Sequence, residues 1–492
     1  MFAFGRIAVL GVLLCAVAPS AETAEKLTID SLPAHSSIGF LGDSITQGVT
    51  LAWDKSGGHS WRDEMNRDEV KLDQGGLYHQ VVQLFLATRY PGKDLWTVNL
   101  GHAGGKASHG LERMSYDVLP FLPDVTLLHF GMNDFGSLGY LNPDKPPGTA
   151  SKQKRRDEFT RNMTKLIEQL REAGSQVVMM SPTIYDEFVD KKVKPGHGAQ
   201  AELAEYGTIS RGLAEEFGLP FIDLYTPMLA MTQQYQADNK RWSLTKDRVH
   251  PSFGGGGDEL MAFHILTALG ASGTVYEVRI AKGAAEVATN AQVSDVATSA
   301  TGVRFSLTEH ALPYPVLPGD AGFAKLLPFV DELNRQIVAV ADLAPGTYDV
   351  LIDDVAVGSY SAEELTAGVN LGANTKTPQH QQALAVRDTV LFRKAVLEQF
   401  VRVMRNNCRF SLKQDKDIDW DDPESVLAGI DRFRAASEKS GKKIRGWRGY
   451  VLGTGAYALQ HKQAILDELA AIRAQLAAMP SSYEHRYELR RQ

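Results

Sequence analysis

Four short blocks of this 492-residue chain carry side chains that can do acyl chemistry. Ser44 lies in Gly42-Asp43-Ser44-Ile45-Thr46-Gln47-Gly48, directly after a short apolar run. Flanking glycines tolerate the tight turn that would expose its hydroxyl. An Asp-Ser helix cap has the same appearance. Far downstream, Asp247 and His250 stand in Asp247-Arg248-Val249-His250-Pro251. A serine nucleophile needs a base to take its proton, and that base needs a carboxylate to fix its tautomer and stabilise its charged form. One loop can supply both, although the same pair also fits a metal fragment or a surface turn.

The two remaining blocks offer hydrogen-bond donors. Asn133, in Phe130-Gly131-Met132-Asn133-Asp134, can donate through its amide to a developing oxyanion, or can make an Asx turn. The stretch Asn99-Leu100-Gly101-His102-Ala103-Gly104-Gly105 has glycines that either bring a backbone N–H close to a ligand or simply form a loop. His59, His79, His102 and His109 have no ligand spacing and read as loop or surface residues. No metal and no cofactor is called for.

These blocks need a frame to bring them together. Apolar runs at 38–41, 95–100, 125–130, 177–180 and 221–224 read as strands buried on both faces. Helical patterns lie between them. In 77–89, Leu77, Val81, Leu84, Phe85 and Thr88 share one face; in 155–173, Phe159, Met163, Leu166, Ile167 and Leu170 do. Strands alternating with helices predict a parallel sheet covered on both faces, with chemistry at the carboxyl ends of the strands. The serine, glycine and asparagine blocks all fall at such ends. The Asp-His loop precedes the last helix of this region, which opens on four glycines, Gly254 to Gly257, and is expected to be mobile.

Taken in this order, the blocks resemble the SGNH (GDSL-type) hydrolase family over about residues 36–272. The resemblance implies a flavodoxin-like α/β/α fold and hydrolysis of esters or related acyl bonds. It makes Ser44 the nucleophile, His250 the general base and acid, and Asp247 the residue that orients it. It also makes the Ser44 N–H, the Gly104 N–H and the Asn133 amide the oxyanion hole. Gly101 or Gly105 could replace Gly104 as the backbone donor. Asp43 is expected to hold the turn.

The texture changes after about residue 275. Alternating patterns at 276–280 and 303–307, and a run at 348–352, predict a small β-rich module over 276–385. Helical patterns then predict a helical C-terminal region over 386–492, behind a hydrolase domain over 30–275. Trp420, Trp447 and Tyr450 could stack on sugar rings or serve as ordinary packing.

Residues 1–21 read as an export signal: Arg6, an apolar stretch from 7 to 17, then Ala18, Ser20 and Ala21. The stretch is short of the roughly 20 residues of a spanning helix, so no stable membrane insertion is expected after cleavage. Cleavage would leave Cys408 as the only cysteine and no internal disulfide. A net charge of -7 argues against a nucleic-acid partner. The expectation is a secreted or periplasmic serine esterase acting on a small-molecule or polysaccharide ester, first of all a carbohydrate O-deacetylase. Alternatives are a lipase or lysophospholipase, an acyltransferase using the same serine, or a glycan-binding protein with an inert hydrolase fold. The oligomeric state is open.

Overall fold

The computed structural model describes residues 27–48, 77–192, 195–252, 255–316, 325–444 and 446–492. The export segment and His59 lie outside the described residues. Five strands, β1 (Ser37–Gly42), β2 (Trp96–Gly101), β3 (Val125–His129), β4 (Gln176–Met180) and β5 (Phe221–Ile222), fall at the apolar runs. They form one parallel sheet in the order β2-β1-β3-β4-β5, with Phe40 opposite both Asn99 and Leu127. This is a flavodoxin-like order. The chain leaves β1 toward one edge and resumes at β3 on the other side, so the crevice lies where β1, β2 and β3 end.

The helices of this layer are α1 (Ser44–Gln47), α2 (Tyr78–Arg89), α3 (Ala107–Glu112), α4 (Thr149–Glu172), α5 (Ala199–Phe217), α6 (Tyr225–Asp238) and α7 (Gly257–Ala268). α2 packs against α7, and α4 against α5. Right-handed crossovers put these pairs on opposite faces of the sheet. α4 buries Phe159, Met163, Leu166, Ile167 and Leu170, the stripe read from its spacing. α2 instead buries all of its residues, His79 included. Its second face is covered by α8 (Pro378–Asp388).

A β-sandwich follows. One sheet has the order β13 (Val369–Asn370), β10 (Arg335–Val340), β6 (Thr274–Ala281), β7 (Ala284–Thr289). The other is β12 (Val355–Ser361), β11 (Thr347–Ile352), β14 (Tyr483–Arg491), β9 (Gly302–Glu309), β8 (Ala291–Ser299). Val278, Ile280 and Val340 from the first sheet meet Phe305, Val350, Tyr487 and Leu489 from the second in one apolar core. The Tyr276 and Tyr487 hydroxyls lie 2.7 Å apart.

The expectation of a helical tail over 386–492 needs correction at its end. β14 returns to the sandwich and takes the central place of its sheet, between β11 and β9. The helices before it include α9 (Ala395–Arg402), followed by a π-helical turn over Val403–Asn407, and α10 (Lys462–Ala477). Leu397, Phe400, Ile465 and Ile472 share one apolar core with Phe40, Leu100 and Phe85 of the α/β layer. The helical region is thus packed directly on the sheet rather than held apart from it. Trp420 is half-buried against the small cluster around Cys408 and Ile430; the side chains of Trp447 and Tyr450 lie outside the described residues.

Candidate active site

Ser44 begins α1 directly after β1. Asp43 caps that helix, its Oδ1 accepting from the Ile45 N–H at 2.9 Å. A single helical turn ends in Gly48, whose φ of 74° is the left-handed conformation glycine tolerates. The Ser44 side chain is nearly buried at 8% exposure. Its Oγ lies 2.8 Å from His250 Nε2. His250 Nδ1 lies 2.7 Å from Asp247 Oδ2, and the His250 N–H donates to Asp247 Oδ1 at 2.8 Å. The three residues singled out in the sequence therefore form one continuous relay.

Asp247 sits well below the usual carboxylate range, at about 2. Partial burial opposes this, but the hydrogen bond and charge of His250 and two backbone N–H groups outweigh it. An ionised carboxylate on Nδ1 keeps the proton there and leaves Nε2 to face the serine.

The loop between these residues depends on one that sequence reasoning passed over. Arg248 has a φ of 78°, a left-handed conformation costing a non-glycine residue roughly 1–2 kcal/mol. Its buried guanidinium offsets that cost by donating to the carbonyls of Asp186 at 3.0 Å and Glu187 at 2.9 Å. The Asp186 N–H returns a bond to the Arg248 carbonyl at 2.8 Å. The only advance signal was an arginine between the aspartate and the histidine.

The donor blocks converge on the same place. Asn133 Nδ2 donates to Asp43 Oδ2 at 3.2 Å and to the Gly105 carbonyl at 3.0 Å. In the glycine block, the Gly101 N–H donates to Asn99 Oδ1 and the Gly105 N–H to the His102 carbonyl. The Ala103 N–H donates to Gln47 Oε1 at 2.6 Å. Among the described residues the Gly104 N–H makes no intramolecular hydrogen bond, and neither does that of Ser44. Gly104 is exposed with a φ of 71°, and a Cβ placed on it would meet nothing within 4 Å among the described residues.

Buried carboxyls brace the blocks. Asp134 accepts from the Ala107 N–H at 3.0 Å and the Gly131 N–H at 3.1 Å, tying the second block to the third. Burial pushes it up to about 7, and Asp43 up to about 6. The histidines read as loop or surface residues need correction. His79 is fully buried in α2, and burial brings it down to about 3. His102 does lie in a loop but is buried there, and is also at about 3 through burial and the charges of Arg113 and Arg402. The glycine run after His250 has a packing role: a Cβ on Gly257 would stand 2.3 Å from the Leu244 carbonyl oxygen.

Residues 40–255 match the profile of the GDSL-like Lipase/Acylhydrolase family. No curated protein matches the chain. Among solved structures, a gut microbial diltiazem-metabolizing enzyme is similar at 24% identity and a TM-score of 0.78, over 95% of this chain and 100% of that one. The sandwich and the C-terminal helices thus recur with the α/β layer as one fold. An acetylxylan esterase from Geobacillus stearothermophilus is 22% identical with a TM-score of 0.34, over 48% of this chain and 95% of that one. An alpha/beta hydrolase from the metagenome of Lake Arreo, Spain, is 22% identical with a TM-score of 0.34, over 49% and 97%. Residues 40–255, somewhat under half of the chain, thus match a GDSL-like lipase/acylhydrolase domain, and the protein is a serine esterase.

Proposed function

We propose that Ser44, His250 and Asp247 are the catalytic triad of an exported carbohydrate O-deacetylase. The observation that carries the triad is the pair of short contacts on one imidazole, 2.8 Å to Ser44 Oγ and 2.7 Å to Asp247 Oδ2. His250 takes the serine proton as Oγ attacks the acyl carbon. The ester carbonyl becomes an oxyanion, held by the N–H groups of Ser44 and Gly104 and by the Asn133 amide. His250 then gives the proton to the departing alcohol oxygen, leaving an acyl-serine. Water attacks that ester by the same route in reverse and releases the acid. Gly104 is the backbone donor in this scheme because its rivals, Gly101 and Gly105, spend their N–H groups within the loop.

The carbohydrate reading is supported by the export-type N-terminus and by an exposed Gly104, over which no described residue closes within 4 Å of a Cβ position. Acyl release should be compared for the parent and Ser44→Ala on aryl acetate, longer aryl esters and acetylated polysaccharide. Serine-dependent release that is strongest from the polysaccharide supports deacetylation. A preference for long acyl chains points to a lipase. Glycan binding with no serine-dependent release would mean an inert hydrolase fold.

A further inference from the structure

The C-terminal helical region reaches the floor of the active-site crevice. Arg402, the last residue of α9, is 3% exposed. Its Nη2 donates to the carbonyl of Gly101 at 2.6 Å, and its Nη1 and Nη2 donate to Asp117 at 2.6 and 3.0 Å. Asp117 is fully buried and also accepts from Asn406 at 3.1 Å and from Arg113. Arg113 in turn donates to the carbonyls of Leu100 at 2.5 Å and Gly42 at 3.2 Å. Asn407, one residue further along the π-helical turn, places its Oδ1 3.0 Å from Nδ1 of His102.

Every carbonyl gripped here belongs to a strand end that carries a donor or the nucleophile. Gly42 ends β1 two residues before Ser44, and Gly101 ends β2 three residues before Gly104. Gly101 is pressed onto α1: a Cβ there would lie 2.1 Å from the Gln47 nitrogen. Gln47 in turn holds the Ala103 N–H. A buried guanidinium is costly unless it is paired and its donors are satisfied. Burial alone would raise Asp117, yet Arg402 and Arg113 hold it below its ordinary value, so the carboxylate stays charged beneath the loop.

We infer that Arg402 is a positioning residue for the oxyanion hole: from the C-terminal helices it fixes the Gly101 carbonyl, and through it the loop that presents Gly104. The helical region is then a working part of the esterase, since the α/β layer does not supply this group itself. The inference rests on the proposed triad and oxyanion hole.

The test uses the full chain and aryl acetate, with active serines counted by phosphonate titration. Arg402→Met is expected to lower kcat per titrated serine at least tenfold, with KM within twofold of the parent. A boronic acid that forms a tetrahedral adduct on Ser44 should bind more weakly in step with kcat/KM. A merely structural role would instead lower the number of titratable serines and leave the kcat of each unchanged, which overturns the inference. If Arg402→Met does not fold, Arg402→Lys is read the same way. One ammonium cannot reproduce the planar fork that spans Asp117 and Gly101, so kcat should fall severalfold. Parental kcat in a folded Arg402→Lys overturns the inference. Parental hydrolysis that survives Ser44→Ala would instead sink the functional reading itself, and this inference with it.

Discussion

The Asn133 amide donates to Asp43 Oδ2 at 3.2 Å, so the residue beside the nucleophile orients a candidate oxyanion donor. The second Asn133 bond, to the Gly105 carbonyl, comes from the same nitrogen. A forming oxyanion would have to share these hydrogens. Asn133→Ala should lower kcat by roughly a hundredfold, the loss of about 3 kcal/mol expected for one such donor, with KM little changed. Steady-state kinetics on aryl acetate check this. Near-parental kcat would remove Asn133 from the site.

Asp247 makes a sharper prediction because its two oxygens do different work. Oδ1 accepts from the backbone N–H groups of Val249 at 3.2 Å and His250 at 2.8 Å, and Oδ2 faces the imidazole. Asn can keep the first role with its carbonyl oxygen. Its amide nitrogen then faces His250 Nδ1 and favours the wrong tautomer. Asp247→Asn should therefore fold normally and lose about 10³–10⁴-fold in kcat. The parent carboxyl is depressed to about 2, so its contribution to stability is present above the ordinary value near 3.8 and lost as pH falls toward 2. Parental kcat in the variant at pH 7 would leave His250 with no need of a carboxylate.

Gly257 separates close packing from mobility as the reason for the glycine run. The Leu244 carbonyl already accepts from Ser252 N at 2.7 Å and Ser252 Oγ at 2.9 Å, and it closes the loop that carries Asp247 and His250. A methyl group on Gly257 must displace that carbonyl. Gly257→Ala is expected to cost about 1–3 kcal/mol of stability, as overpacking does. Because the triad loop moves with the carbonyl, kcat should fall as well. Thermal unfolding and kinetics together decide. Unchanged stability with altered kcat would favour the mobility reading.

What the sequence made legible follows from how local each signal is. Strands β1 to β5 are short and buried on both faces, so each appears as a bare apolar run. The reactive blocks stand out because they interrupt those runs at their ends. β14 gives no such signal. His485, Tyr487 and Leu489 face inward while Glu484, Arg486 and Arg490 face solvent, and the segment follows a long helical pattern. Only its pairing with β9 and β11, more than a hundred residues away, makes it a strand. His79 looked peripheral because the spacing of α2 shows one apolar face, whereas the cover on the other comes from α8. Arg402 and Asp117 are separated by 285 residues, and nothing near either announces the ion pair. The left-handed Arg248 is equally silent, because its carbonyl partners come from a distant loop.

Asp258 offers a test of the fold's electrostatics that does not pass through the chemistry. It lies in the first turn of α7 at 2% exposure, and its Oδ1 accepts from the Tyr78 N–H at 3.0 Å. Burial pushes its carboxyl up to about 7, against an ordinary value of 3.8. Between those two values the folded protein holds a proton that the unfolded chain has released. Stability attributable to this group therefore falls as pH rises from about 4 to 7, and is level above that. The slope is at most about 1.4 kcal/mol per pH unit. Asn keeps the carbonyl acceptor for Tyr78 and has no proton to lose. Asp258→Asn should match the parent in Tm near pH 4 and exceed it increasingly up to pH 7. A Tm difference that stays constant across this range would show that Asp258 ionises in the fold as easily as in the unfolded chain. A loss of stability that grows as pH rises would show instead that the charge itself is needed at the start of α7, where the helix dipole favours an anion.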